Sequence, residues 1–257
     1  MKKFTFLLVC FLALFGGAHA QQQAFQAGEK ITFSVFYNVI GMYLHAGTAS
    51  FHTQVAKYNN RDVYHVVGEG ATNPRYDWIF KVRDRYESFF NTDDLESVRF
   101  IRHVNEGKYK KHEEVHFNAK ENTAVTSKGV FKVPEKVLDV INCLYFARNI
   151  NYAQYKEGDK IPFSMFLDDE VYSMYIRYAG KQTISTKYGT FRTIVLKPLL
   201  LKGNVFQGGE QMTVWISDDP NHVPVRIESD LSVGSVKVDM MKYQNLKHPL
   251  SALIKVN

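Results

Sequence analysis

The residues best suited to chemistry form the segment His112-Glu113-Glu114-Val115-His116, which has H-E-x-x-H spacing. On a helix this spacing puts both histidines on one face, where they bind zinc while the glutamate acts as a base on metal-bound water. Glu135 follows at about the distance where one class of zinc peptidase has its third ligand. These residues define one candidate function, a zinc-dependent hydrolase with His112, His116 and Glu135 as metal ligands.

The pattern around this motif is typical of a strand. Its residues alternate between two faces, one with Tyr109, Lys111, Glu113, Val115 and Phe117 and the other with Lys110, His112, Glu114 and His116. In a strand, residues i and i+4 are about 13 Å apart at about 3.3 Å per residue. Imidazoles at that distance cannot share a zinc ion whose bonds are about 2 Å long. We therefore expect a polar outward face and no metal; a helix at residues 108–118 would restore the hydrolase interpretation.

Other catalytic arrangements are weaker in this sequence. There is no G-x-S-x-G motif for a serine nucleophile. Cys143 falls between Val140 and Leu144 on a predicted helix, which favours a packed, inert side chain. We predict no catalytic residue and no cofactor, and the interpretation leans towards a protein that is not an enzyme.

Apolar residues at two places suggest binding instead. Tyr145 and Phe146 widen the apolar stripe of the predicted helix, and residues 196–212 place Leu199, Leu201 and Phe206 beside a glycine-rich turn. Ligand pockets are commonly concave, apolar and lined by aromatic residues. These five residues predict a cavity between sheet and helix, gated by residues 199–209. The alternative is that they interlock as solid core, since protein interiors are normally close-packed.

The segment Asn73–Trp78 interrupts the strand pattern and carries Pro74. It places an arginine, a tyrosine and a tryptophan on irregular backbone, where binding residues often occur. We favour a structural role, as a plug on the edge of the sheet.

The remaining sequence predicts the elements that position these residues. Residues 30–130 contain successive alternating segments, as in Ile31 to Tyr37, and further strand patterns follow residue 160. Between them, residues 134–149 have apolar residues at helical spacing. The predicted fold is mostly β: a large antiparallel, strongly bent sheet, either a half-barrel or two packed sheets, with one main helix packed on it.

The predicted domain organisation is a signal peptide at residues 1–20 and a single β-rich domain at residues 21–257. Two halves, about 25–133 and 150–245, would be joined by helix 134–149. The leader has a positive start, an apolar run and the small-x-small sequence Ala18-His19-Ala20. It predicts an exported protein, periplasmic or extracellular.

Composition narrows the set of partners. The leader holds 2 of the 32 basic residues and none of the 26 acidic ones, so the processed chain has a net charge of +4. The charges are interspersed, which argues against nucleic acid as a partner. No later segment is long and apolar enough to predict a transmembrane helix. Cys143 is then the only cysteine, so no intramolecular disulfide can form.

Several segments resemble, in order and spacing, the exported bacterial proteins of the domain-of-unknown-function family 3108: residues 41–51, 137–148, 189–198, 212–229 and 233–240. The resemblance covers about residues 25–245. It implies a location in the cell envelope and a β-rich fold, and it brings no established activity or catalytic residue. The expected function is a non-catalytic envelope protein that binds an apolar or amphipathic ligand, or a protein partner, on a concave sheet face.

We expect signal peptidase to cleave after Ala20, because the leader has the three regions that the enzyme requires in the right order. Intact-mass spectrometry of the chain recovered from the cell envelope should give the mass of a chain whose first residue is Gln21. A retained Met1, or a lipid on Cys10, would contradict the prediction.

Overall fold

The computed structural model describes residues 23–39, 41–202 and 208–257. The predicted signal peptide and Phe206 lie outside these residues. Among the residues described, no helix is both long enough and apolar enough to cross a membrane.

Fifteen strands form one antiparallel sheet within this part of the chain. They are β1 Lys30–Val39, β2 Met42–Tyr58, β3 Arg61–Thr72, β4 Arg83–Asn91, β5 Ser97–Glu106, β6 Tyr109–Asn118, β7 Thr123–Thr126, β8 Gly129–Lys132, β9 Lys160–Leu167, β10 Glu170–Thr186, β11 Gly189–Pro198, β12 Met212–Ser217, β13 Pro224–Asp230, β14 Ser235–Gln244 and β15 Leu253–Val256. The prediction of a mostly β fold with a large antiparallel sheet is confirmed.

The strand order follows the chain except at one place. It runs β8-β7-β6-β5-β4-β3-β2-β1-β14-β13-β12-β11-β10-β9, with β15 added beside β11. The first and last long strands therefore pair in the middle of the sheet, where Ile31 lies opposite Tyr243. The two ends of the order, β8 and β9, are consecutive in the chain, and the segment between them contains the helix.

The sheet bends so strongly that the turn between β9 and β10, at one end of the strand order, contacts strands near the other end. Asp168 and Asp169 form the two-residue turn between β9 and β10, both with positive φ, as such hairpins require. Asp168 forms ion pairs with Arg102 on β5 and Lys111 on β6. The Thr126 hydroxyl on β7 donates to Asp169 Oδ1 over 2.7 Å. These contacts hold the β9–β10 hairpin against β5, β6 and β7, which lie near the other end of the strand order.

The helix α1 is Val140–Arg148, so the prediction that it begins at Pro134 is wrong. Lys136 has a φ of +54°, which lies in the left-handed region and cannot continue a helix. Leu138 is also extended, because its N–H and C=O bond to Ser164 and Phe166 of β9. The helix therefore begins only after Lys136 and Leu138.

Asp139 is the residue that starts the helix. It is extended, and its Oδ1 accepts hydrogen bonds from the backbone N–H groups of Ile141 and Asn142 at 3.0 and 2.9 Å. Its Oδ2 accepts from the hydroxyls of Ser88 on β4 and Ser97 on β5. Burial raises the pKa of this fully buried carboxyl, and the four hydrogen bonds act against that shift. The cap therefore ties the helix N-terminus to two strands.

Tyr145 directs the middle of the helix into the core. Its ring packs edge-on against Phe25 with centroids 4.7 Å apart, and its hydroxyl lies 2.8 Å from Thr53 Oγ1. The surrounding cluster of buried residues includes Val66, Phe90, Phe100, Val115 and Phe166. The concave face of the sheet at this place is filled by side chains.

The helix C-terminus is held by a buried ion pair. The Arg148 guanidinium donates to the two carboxylate oxygens of Glu29 at 2.5 and 2.9 Å, and the side chains are 3% and 1% exposed. Arg148 also donates to the backbone oxygens of Asn221 and Ala24. One side chain thus connects the helix, the segment before β1 and the turn between β12 and β13.

We expect Arg148→Leu to lower the free energy of unfolding by about 3–5 kcal/mol, because Glu29 is left charged and buried without its partner. The double variant Glu29→Leu/Arg148→Leu should lose less than the sum of the two single variants. Denaturant unfolding of the four proteins measures this coupling. Strict additivity would show that the pair does not act as a unit.

Candidate functional site

The H-E-x-x-H segment lies in β6, as its alternation predicts. His112 stacks on His103 of β5, with 3.2 Å between their Nδ1 atoms. His116 has a different set of neighbours, 2.9 Å from the Tyr58 hydroxyl and 2.8 Å from Glu114. Since four strand residues span about 13 Å, the two imidazoles cannot ligate one zinc ion.

The other members of the proposed metal site are equally separated. Glu113 points to the opposite face of β6 and forms an ion pair with Arg102 at 2.5 Å. Glu135 is exposed in the turn before the helix. Among the residues described, no group of three or more His, Cys, Asp or Glu side chains could hold a metal ion.

A cleft of about 720 Å³ lies between α1 and β9, and its lining includes one of the predicted binding residues, Phe146. We call it the helix–β9 cleft. Its apolar walls are formed mainly by Leu95, Leu138, Phe146, Ile161, Phe163 and Met174. The rings of Phe146 and Phe163 lie 5.6 Å apart, one from the helix and one from the strand. The cleft is therefore a gap that the helix leaves along the edge of the sheet.

Asn142 provides a polar group in this apolar setting. It is fully buried and lines the cleft, and its Nδ2 donates to Leu95 O at 2.8 Å and to Ser97 Oγ at 3.0 Å. Its Oδ1 has no hydrogen-bond partner within the described part of the chain. Leaving a buried acceptor unpaired costs about 1–3 kcal/mol. A hydrogen-bond donor that reaches this oxygen removes that cost.

The rim of the cleft is mainly acidic. It includes Asp94, Glu96 and Glu135 together with Lys136. Burial raises the pKa of Glu96, and the nearby charge of Asp94 raises it further. A negatively charged ligand head would meet this excess of carboxylates, so the rim favours a neutral or cationic head group.

The exposed edge of β9 determines whether an extended peptide can bind beside the cleft. Ser164 and Phe166 direct their backbone groups outward, to Leu138, so Pro162 is the next residue whose backbone faces this edge. Proline has no N–H to donate, and a proline on an edge strand prevents another strand from pairing there. The edge of β9 beside the cleft is thus protected against strand addition, which favours a small molecule over an extended peptide.

The residues of the predicted cavity are only partly brought together. Phe146 lines the helix–β9 cleft, whereas Tyr145 lies in the core and is absent from the lining. Leu199 and Leu201 are half-buried in another part of the sheet, where Leu199 N–H donates to Tyr175 O on β10. Phe206 lies outside the described residues. The gating role of residues 199–209 stays a prediction.

The start and end of that loop are close together. Leu200 and Gly209 exchange two backbone hydrogen bonds. Glu210 accepts from Arg177 and from the Tyr175 hydroxyl, and these hydrogen bonds lower the pKa of Glu210 to about 2. These contacts tie the loop to β10, on the strand face opposite to Met174 in the cleft.

Sequence reasoning missed Asn142, Phe163 and Met174 as cleft residues. For Asn142 a signal exists, since it is a polar residue within the apolar run Val140–Leu144. For Phe163 and Met174 no local pattern distinguishes a strand face that lines a cleft from one that packs in a core.

These features define a class of protein: an open, strongly bent antiparallel sheet with a short helix on its concave side and a cleft beside the helix. The chain belongs to the family described as protein of unknown function (DUF3108), whose model matches residues 32–241. The suspected family is thereby confirmed.

One of the similar solved structures supports the fold. The chain is similar to the β-barrel-like protein of domain of unknown function DUF1849 from Brucella abortus, with a TM-score of 0.58, 10% identity and coverage of 87% of this chain and 100% of the other. A presumed lipoprotein from Parabacteroides distasonis gives a TM-score of 0.40 at 12% identity, with 86% and 98% covered. No curated protein matches the chain. At these identities the likeness concerns the fold alone.

We expect His112→Ala and His116→Ala to change the free energy of unfolding by no more than about 0.5 kcal/mol, because both side chains are exposed on a strand. Glu113→Ala, within the same motif, should cost more than about 2 kcal/mol, because its ion pair with Arg102 is buried. Denaturant unfolding with and without added zinc tests both. A zinc-dependent gain in stability that the histidine variants abolish would restore the hydrolase interpretation.

Proposed function

We propose that this chain is an exported, non-catalytic protein that binds a small amphipathic molecule in the helix–β9 cleft. The observation that carries the proposal is the cleft itself, which has apolar walls and includes in its lining one buried polar residue, Asn142, whose Oδ1 has no hydrogen-bond partner among the described residues. Export is supported by the leader pattern of residues 1–20.

The size and the lining of the cleft agree with this role. Pockets for small ligands have volumes of about 300–1,000 Å³, are mostly apolar and contain a few placed polar groups. The volume here is about 720 Å³. An apolar tail packs between Phe146 and Phe163, and Met174 forms part of the same wall.

The polar groups select the head of the ligand. Asn142 Oδ1 accepts a hydrogen bond, so the head must donate one, as a hydroxyl or an amine does. An ionised carboxylate only accepts hydrogen bonds, and it would also face Asp94, Glu96 and Glu135 at the rim. The proposed ligand class is therefore a long-chain alcohol, a monoacylglycerol or a long-chain amine, and fatty acids are disfavoured.

The alternative expectation, that the chain binds a protein partner, is less well supported at this site. Pro162 blocks strand pairing along the open part of β9, which is the way an extended peptide would gain most of its hydrogen bonds. The helix–β9 cleft is better matched to a ligand that needs one hydrogen bond and an apolar surface.

We expect a fluorescent long-chain alcohol to bind saturably to the processed chain, and the carboxylic acid of the same chain length to bind at least about tenfold more weakly, because it cannot donate to Asn142. Fluorescence titration at neutral pH measures both affinities. Tighter binding of the acid would refute the proposed head-group chemistry.

Two variants locate the binding. Phe146→Asp puts a charge in the wall of the cleft, and Met174→Trp fills it, so each should weaken alcohol binding. Val171→Asp is the matched control, because Val171 lies on the opposite face of β10 from Met174 and is already 40% exposed. Thermal melts confirm that each variant is folded. Equal losses in the control and in the cleft variants would place the ligand elsewhere.

A further inference from the structure

The loop between β3 and β4 carries Trp78, the most exposed large apolar side chain among the described residues, followed directly by two more exposed apolar residues. Trp78, Ile79 and Phe80 are consecutive and are 83%, 62% and 53% exposed. We call these three residues the aromatic tip. A plug on the edge of the sheet would bury them, so the plug expectation does not describe what this part of the segment does. Three consecutive exposed apolar residues need a reason, because soluble proteins normally expose such residues singly.

The backbone holds the tip in place. Residues Pro74–Tyr76 form a 3-10 turn, and the N–H groups of Ile79 and Phe80 donate to Tyr76 O at 2.9 and 3.1 Å. Asp77 accepts hydrogen bonds from Thr72 and Arg83, which lower its pKa. The tip is therefore presented by an organised turn, and binding through it requires little additional ordering.

A second apolar projection lies at the same end of the sheet. Met42, Tyr43 and Leu44 begin β2 and are 66%, 50% and 44% exposed. This stretch extends past the last paired residues of β3, since Gly47 is the partner of Thr72. The loop of the tip starts beside it, where Asn73 N–H donates to Ala46 O. Together they place six large apolar side chains at one end of the molecule.

The charges around the tip are mostly positive. Arg75, Lys81, Lys108 and Lys110 are exposed, and no ion pair is found for them among the residues described. The turn with Lys108 adjoins the tip, because Gly107 N–H donates to Lys81 O over 2.8 Å. The nearby carboxylates contribute little negative charge outward. Asp77 is paired with Arg83, and Glu106 is half-buried with its pKa raised by burial and by Asp84.

We propose that this end of the sheet binds the surface of an anionic phospholipid bilayer, with the aromatic tip inserted among the head groups. Tryptophan with neighbouring apolar residues is typical of protein segments at the membrane–water interface. Unpaired basic residues beside such a segment add attraction to anionic lipid. A specific protein interface instead covers about 800 Å² per partner, and a projecting three-residue tip offers a poor surface of that kind.

This surface is separate from the helix–β9 cleft. The cleft is lined by residues 161–164 of β9 and by the loop that follows β4, both at the end of the sheet opposite to the tip. Membrane attachment through the tip therefore leaves the cleft facing away from the bilayer. The inference does not depend on the proposed ligand.

Tryptophan fluorescence tests the insertion directly, because the chain has only two tryptophans, Trp78 and Trp215. Trp215 is half-buried and donates to Gln182 Oε1, so Trp215→Phe leaves Trp78 as the sole emitter. On adding vesicles of phosphatidylglycerol and phosphatidylcholine to the processed chain, we expect a blue shift and co-sedimentation. Vesicles of phosphatidylcholine alone should give much less of both.

Matched variants identify the surface. Trp78→Ala/Phe80→Ala should lower partitioning to anionic vesicles at least about tenfold, as expected for removing two inserted rings. Lys81→Glu/Lys108→Glu should also lower it, and more strongly at low salt. Ile254→Ser is the control, because Ile254 is 54% exposed on β15, at the opposite end of the sheet. All sites are exposed, and thermal melts confirm folding.

Three results would overturn the inference. They are no blue shift of Trp78 with anionic vesicles, equal binding to neutral vesicles, and unchanged partitioning of the Trp78→Ala/Phe80→Ala variant. Sedimentation that only Ile254→Ser reduces would place membrane contact at the other end of the sheet and would also contradict it.

Discussion

The buried ion pair between Glu29 and Arg148 is the constraint on which the position of the helix depends. A helix of nine residues is too short to be stable alone, so its contacts at both ends decide where it lies. Arg148 fixes the C-terminus to the segment before β1, and Asp139 fixes the N-terminus to β4 and β5. Neither attachment is to β9. The chain pairs with β9 through Leu138 just before the helix and contacts it again through the rings of Phe146 and Phe163, and the cleft is the space left between helix and strand.

The elements of this fold could be predicted from local patterns, while their pairing could not. Alternation identified β6 as a strand even though it contains a motif known from helices. The start of the helix could not be predicted locally, because Leu138 is held extended by backbone hydrogen bonds to β9, which begins more than twenty residues further along the chain. No local pattern indicates that β1 pairs with β14. Such pairing is decided by side chains brought together only in the folded sheet.

In the candidate site, too, local patterns identify residues but do not predict their positions in the fold. Tyr145 and Phe146 both extend the apolar stripe, but consecutive helical residues point about 100° apart. One ring therefore enters the core beside Phe25 and the other faces the cleft, and only the position of β9 determines which does which. Pro162 and Asn142 were visible in the sequence as exceptions to their local patterns. That Pro162 blocks a strand edge and that Asn142 has an unpaired acceptor becomes clear only when their neighbours in the fold are known.

The pairing of β1 with β14 also governs the order in which the chain can fold. β1 to β8 and β9 to β14 can each form by successive hairpins between strands close in sequence. Joining them requires β1 to find a strand about 200 residues away, and contacts of such large sequence separation form slowly. During synthesis, β1 keeps one open edge until β14 has been made. The central seam of this sheet therefore forms late in folding, after the hairpins on either side of it.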